Sequence, residues 1–388
     1  MLLWLWQDHP TLRAKRSERQ AAQENVTIAE RQFWPTPSIS NDVGPANVSG
    51  QSRSTTARLS LPVYTGGQLS ADLEMADLRH RISEAEIEVA GQDLVFQFTD
   101  FYRIWWSHSL RSEILKSNLD RMEQLRQMMR RRSDSGVSAR LDLSQAELQW
   151  QKAKDDLRES LRQRDHALVD MSTFVGRELN PVFERLDQWP ALPFQRLVDL
   201  QDRVMAFHPS LNISQWNLAL AQAEMKKAKS SLLPTVTLRV EKQYGAYLGS
   251  LEPGQRTYLN SQYSLGAGLA ALPQQQQAAA RAEAAEKQTA ASRLALVTQI
   301  QKLWHEYLQQ SEQLKNTLAQ LKSQETVTRS GIQLFTAGRR SWQDLLAMQR
   351  ELYQLQAQQV ELESACMAAL LRLHLMAHTY PQFSFPSQ

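Results

Sequence analysis

Two histidines, one cysteine and a cluster of arginines are the residues of this chain best suited to chemistry. His9 and His208 each stand directly before a proline. An imidazole can act as a general base or a metal ligand, but both occupy the same position of a repeated His-Pro-Thr/Ser-Leu segment, where helix entry accounts for them. Cys366 lies in Ala365-Cys366-Met367-Ala368-Ala369 and reads as a small packed residue of a helix. As the single cysteine it can form neither an internal disulfide nor a cysteine-based zinc cluster. No HExxH, CxxC, GxSxG or phosphate-loop pattern occurs. Enzyme chemistry therefore has no foothold, and no catalytic residue, cofactor or metal is expected. Arg126, Arg130, Arg131 and Arg132 crowd one helix end. They form either a contact patch for a partner or a solvated basic face serving that helix C-terminus.

The elements that position these residues follow from composition and repetition. Charged residues make up 22% of the 388, nearly balanced at a net +3, so neither nucleic acid nor another polyanion is implied as a partner. Glycine is scarce at 14, and the mean hydropathy of -0.48 favours long polar helices over a compact mixed core. No apolar run approaches the roughly 20 residues of a spanning helix. A chain of this kind crosses a bilayer only as strands of a closed barrel, because lipid offers no partner to unpaired backbone groups. The opening Met1-Leu2-Leu3-Trp4-Leu5-Trp6 is apolar but has no basic segment or small-residue cleavage site, so it does not read as a secretory signal.

The chain is a duplication. Residues 9–36 align without a gap with 208–235, matching His9, Pro10, Leu12, Ala22, Gln23, Ala29, Pro35 and Thr36 to His208, Pro209, Leu211, Ala221, Gln222, Ala228, Pro234 and Thr235. Further on, GVSARLDL (136–143) matches GRRSWQDL (338–345) in Gly136/Gly338, Asp142/Asp344 and Leu143/Leu345. Each Gly precedes an Asp-Leu helix start, which reads as a tight turn between antiparallel helices. Proline is absent from 63 to 180 and from 274 to 380, so both stretches can be helical.

The expected first repeat, 1–207, holds a helix over 11–34, strands over about 37–64, a long helix over 68–131, a helix over 139–175 and a segment over 176–207. The second, 208–388, holds a helix over 210–233, strands over about 235–272, a long helix over 274–336, a helix over 341–378 and a tail. A helix of ~63 residues spans roughly 95 Å. The two shorter helices of each copy together match that length if stacked end to end, which suits a cylinder wall. Rods of this length need neighbours to cover their apolar stripes. Mid-helix Trp105, Trp106 and Trp304 read as such packing.

Val236, Leu238 and Val240 alternate with Thr237, Arg239 and Glu241, a pattern produced by one apolar and one polar strand face. Tyr244, Tyr247, Tyr258 and Tyr263 could supply an interfacial girdle. The first copy pairs Ser38–Val43 with Thr55–Tyr64 around Gly44-Pro45 and Gly50. Four strands cannot close a barrel, and open edges are not tolerated in lipid, so several chains must share one; three would give twelve strands.

The duplicated His-Pro unit, the strand pair, the long helix and the Gly-x5-Asp-Leu turn together resemble the TolC-type outer-membrane efflux proteins. The resemblance covers almost the whole chain. It implies a mainly α fold with a small β part: a homotrimer whose twelve-stranded outer-membrane β-barrel continues into a long periplasmic α-helical barrel. An equatorial layer would come from 176–207 and the C-terminal tail. The Gly-x5-Asp turns would lie at the periplasmic tip. There Gly136, Leu143, Gly338, Ser341 and Leu345 would receive the hairpins of a periplasmic adaptor, with Arg130, Arg131 and Arg132 nearby. Asp344 would be the aperture acid, and Arg340 would pair with Asp142 to hold the passage shut. Phe335 replaces a tyrosine lock and Ala347 a second aperture acid, which implies a less firmly latched gate.

The stretch from Gly338 to Leu352 is most similar to the branch serving type I secretion of large adhesins. It implies an inner-membrane ABC transporter and an adaptor as partners, outer-membrane lipid around the barrel, and most of the chain in the periplasm. The alternatives are the same architecture serving a multidrug efflux pump, with a proton-driven partner, or a soluble coiled-coil scaffold. An adaptor fits poorly, since it carries a single helical hairpin between β-rich domains.

Overall fold

The computed structural model describes residues 6, 8–43, 53–183, 194–246, 254–264, 266 and 269–377. In chain order the elements are α1 (Pro10–Arg31), β1 (Thr36–Val43), β2 (Arg53–Tyr64), α2 (Gln68–Asp134), α3 (Arg140–Val175), α4 (Leu197–Phe207), α5 (Pro209–Ser230), β3 (Thr235–Ala246), β4 (Gly254–Gln262), α6 (Ala271–Thr336) and α7 (Trp342–Met376). Among the described residues, no helix is long and apolar enough to cross a membrane.

Helix ends depart from the sequence expectation by up to three residues. α1 and α5 stop before 34 and 233 because the next residues are prolines, which drive their predecessors out of helical geometry. Both close with the same tightened turn: Trp34 N–H donates to Arg31 O at 3.0 Å, and Leu233 N–H to Ser230 O at 3.0 Å. α2 runs on past Arg131 to Asp134. α6 starts early, at Ala271, because Pro273 in its first turn needs no donor.

The chain divides into two compact units that cut across the duplication, each drawing on both copies. One comprises 1–9, 91–207 and 296–388; the other comprises 10–90 and 208–295. The second unit contains a single antiparallel sheet in the order β1-β2-β3-β4. Its register places Leu59 opposite Val240, and Leu61 opposite Leu238, which faces Leu259. Arg58 stands opposite Glu241, which faces Arg256, and Arg239 faces Tyr258. Over this stretch apolar and polar residues sort onto opposite faces, with Asn41, Arg53 and Lys242 joining the apolar side toward the strand ends, and Arg58 forms an ion pair with Glu241. The same register sets Tyr244 and Tyr258 on opposite faces, so these tyrosines do not make one girdle. Gly44, Pro45, Gly50 and Tyr247 lie outside the described residues.

The first unit is built from two long helical hairpins. On α3, Ala146, Ala153, Ser160 and Ala167 are buried at seven-residue spacing, a narrow stripe of small side chains that admits close packing. Ser160 Oγ donates to His108 O on α2 at 3.2 Å. Trp105, Trp106, Leu110, Ala167, Val360 and Met367 form one core cluster across α2, α3 and α7. Gly91 has a packing reason: a Cβ built there would stand 1.7 Å from the Trp6 ring. Both histidines singled out above are structural. His208 caps α5 through Nδ1, which accepts from Ser210 N–H at 3.3 Å, and His9 Nε2 lies 3.2 Å from Phe174 O. Burial pushes the Cys366 thiol up to about 11, so it stays protonated and inert at neutral pH.

Burial, then the nearby Arg111 charge, holds the His108 imidazole below its ordinary value of 6.5. Between that ordinary value and the lowered one, the unfolded chain binds more protons than the folded one. Stability is therefore whole above the ordinary value and lost as pH falls through this window. Urea unfolding at pH 7 and at about pH 5 should show this loss, and His108→Asn should flatten that part of the slope.

Candidate functional site: the hairpin tips

Both tips are built by the same backbone device. Gly136 and Gly338 take φ of 73° and 72°, the left-handed region that favours glycine. In the first tip Val137 N–H donates to Arg132 O at 2.8 Å, and in the second Arg339 N–H donates to Leu334 O at 2.9 Å. These are the closing bonds of matching helix stops. A Cβ at either glycine would meet nothing within 4 Å, so glycine is needed there for its dihedral and not for space.

The following helix starts differ. Ser341 caps α7 by accepting from Asp344 N–H at 3.1 Å, whereas Ala139 begins α3 with no side-chain cap. Ser341→Ala should therefore destabilise the second tip by about 1 kcal/mol, and Ala139→Ser should stabilise the first by a similar amount. Thermal unfolding of the two variants checks both signs. Asp142 and Asp344 each lie in a first helical turn, where a carboxylate complements the helix dipole.

Under the turns lies one core drawn from all four helices. Met122, Leu125, Met129, Ala146, Ala153, Phe335, Trp342, Leu345 and Leu346 are buried together, and Leu143 packs against them. Phe335 and Trp342 meet at 5.7 Å between ring centroids. Leu345, expected at a docking surface, is fully buried, whereas Asp344 and Ala347 are exposed and Asp142 is half-buried.

The four arginines separate by role. Arg126 pairs with Glu123 at 2.8 Å and lies 4.7 Å from the Trp150 ring centre. Its hydrogen bond holds the Glu123 carboxyl below the usual range. Arg132 reaches across the tips: its guanidinium lies 4.9 Å from the Phe335 ring centre and donates to Phe335 O at 3.4 Å. Its Nε donates to Ser138 Oγ at 3.2 Å, bracing the turn of its own hairpin. Phe335 O belongs to the last turn of α6 and also accepts from Gly338 N–H at 3.0 Å, so Arg132 adds a second donor to it. Arg130 and Arg131 make no ion pair among the described residues and stay exposed.

Within the chain, Arg340 does not pair with Asp142. Its guanidinium points along its own hairpin and donates to Met348 Sδ at 3.3 Å. Arg340 is exposed and Asp142 only half-buried, and near water an ion pair gains little against the entropy of fixing two side chains. Arg372–Asp100 and Arg111–Tyr353 join α7 to α2 further along, and Arg132 is a polar link between the hairpins at their tips, a role that four similar arginines in sequence did not reveal. Its one signal was its place at the C-terminal turn opposite Leu334 of the other copy.

The family model described as outer membrane efflux protein matches residues 5–177 and 200–377. Over 164 residues the chain is 25% identical to the pyoverdine export outer membrane protein OpmQ of Pseudomonas aeruginosa; this stretch takes in 41% of the chain but only 32% of that protein. Among solved structures, the outer-membrane channel OprN superposes with a TM-score of 0.85 at 19% identity, covering 98% of this chain and 89% of that one. CusC gives 0.86 at 14% identity, with 97% and 90% covered. VceC of Vibrio cholerae gives 0.82 at 16% identity, with 97% and 94% covered. With nine-tenths of its length inside the family match and the fold of these channels, the chain belongs to the outer membrane efflux protein family, whose members are outer-membrane channels.

Proposed function

We propose that three copies of this chain form a passive exit duct, each giving four strands to a twelve-stranded barrel in the outer membrane and its helical hairpins to the periplasmic passage. The sorted faces of the sheet support the barrel, since a sheet apolar on one side and polar on the other must close on itself in lipid. The tips serve as the inner aperture and receive the hairpins of a periplasmic adaptor. Exposed Arg130 and Arg131 are available for that contact. Arg132 holds the two hairpins of one chain together, and Arg340 and Asp142 are left to meet, if at all, across neighbouring chains. Conductance of Arg340→Ala trimers in planar bilayers tests that contact; an unchanged open probability rules it out.

The cargo reading is type I secretion of a large adhesin-like protein, with an inner-membrane ABC transporter as the motor. The observation that carries it is the second tip, Gly338-Arg339-Arg340-Ser341-Trp342 through Leu352, which resembles that branch. A second reading, export of a small molecule by a drug or siderophore pump, is favoured by the match to the pyoverdine exporter. Deleting the gene separates them. Loss of a large surface protein supports secretion, whereas drug sensitivity or siderophore retention with an intact surface supports the second reading.

A further inference from the structure

We infer that the polar face of the sheet forms a basic belt that makes the bore of the barrel favour acidic cargo. This rests on the shared-barrel reading above. The two faces follow from the register. One carries Ile39, Val43, Leu59, Leu61, Leu238, Val240 and Leu259, with Arg53 and Lys242 on the same side toward one end of the strands, and with Ile39 79% and Leu259 66% exposed in the single chain. In a membrane this face meets lipid, so the other lines the bore.

The charges on the bore face are concentrated. Ser38, Arg58, Glu241 and Arg256 share one cross-strand row, and Thr36, Ser60, Arg239 and Tyr258 share the next, about 7 Å away along the strands. These two rows hold three guanidinium groups and one carboxylate, and Arg58 already engages Glu241. Arg239 Nε is buried without a hydrogen-bond partner among the described residues. The other described bore-face positions are Ser, Thr, Asn, Gln, Gly and Pro, apart from Asp42 in the row of Ser54 and Gly245.

Repeated three times around a closed wall, the two rows make a ring of net positive charge. Such a ring raises the local concentration of anions. Its reach is about 8 Å at physiological ionic strength and about 30 Å in dilute salt. Selectivity due to the belt must therefore grow as salt is lowered.

Reversal potentials of purified trimers in planar bilayers under a KCl gradient test the belt. Arg239→Gln with Arg256→Gln is expected to lower the anion-to-cation permeability ratio on the order of two-fold in dilute salt. Lys242→Gln, on the lipid-facing side, removes the same charge per residue and is expected to leave the ratio unchanged. Arg256→Gln alone, on the last strand, should shift the ratio the same way by less and serves if the double variant does not assemble. An unchanged ratio in the bore-face variants, or an equal shift from Lys242→Gln, overturns the inference. If the unmodified chain forms no conducting channel, the duct reading itself has failed.

Discussion

Trp342→Ala is expected to destabilise the helical unit by about 3–5 kcal/mol, the usual cost of emptying a large buried aromatic site. Trp342 is 4% exposed and lies between Phe335 and the α7 residues Leu345 and Leu346, in the core that joins all four helices beneath the tips. Truncation would leave a void that the long helices cannot close without bending. Its indole Nε1 has no hydrogen-bond partner among the described residues. Trp342→Phe therefore loses volume but no hydrogen bond, and about 1 kcal/mol is expected. Urea unfolding of the three proteins distinguishes packing from polar anchoring. If alanine and phenylalanine variants lose equally, the indole nitrogen matters and the packing account is wrong.

Arg132→Ala is expected to have the second-largest effect, and the larger one on gating. The variant loses a charge-assisted hydrogen bond to the Phe335 carbonyl, which also accepts from Gly338 N–H at 3.0 Å, and a cation–π contact with the Phe335 ring. Together these amount to about 2 kcal/mol. If this link favours the closed aperture, open probability should rise by more than tenfold, since about 1.4 kcal/mol corresponds to a factor of ten. Arg132→Lys should not restore closure, because an ammonium cannot both cover the ring and bond the carbonyl as a planar guanidinium does. Single-channel recordings read both. Arg340→Ala should move open probability less, since within the chain that side chain reaches only Met348. The reverse order would return the main latch to Arg340.

Much of the architecture was legible because it depends on strong, repeated local rules. The proline-free stretches, the two His-Pro helix starts and the two Gly-x5-Asp-Leu turns are backbone requirements that leave residue-type signatures. Strand alternation on β3 was equally direct, because a polar face opposite a lipid face requires it.

The polar contacts of the tip were not legible. Arg126, Arg130, Arg131 and Arg132 look alike in sequence, and which one meets Phe335 depends on the relation between two helix ends two hundred residues apart. The Arg340–Asp142 expectation came from family position, and single-chain geometry sends Arg340 elsewhere. Phe335 was read as a weakened lock because it lacks a hydroxyl. Its buried ring instead packs on Trp342 beneath Arg132, a contact that needs an aromatic face and no hydroxyl. Tyr244 and Tyr258 do not share one girdle because strand register, invisible in composition, sets them on opposite faces.

The duct depends on one stoichiometry, since the four described strands leave two open edges that lipid does not tolerate. Native mass measurement of the protein extracted in detergent from outer membranes tests this most directly. A complex of three chains that survives mild detergent and falls apart on heating is expected. Recovery as a monomer, or release from the membrane fraction without detergent, would contradict it.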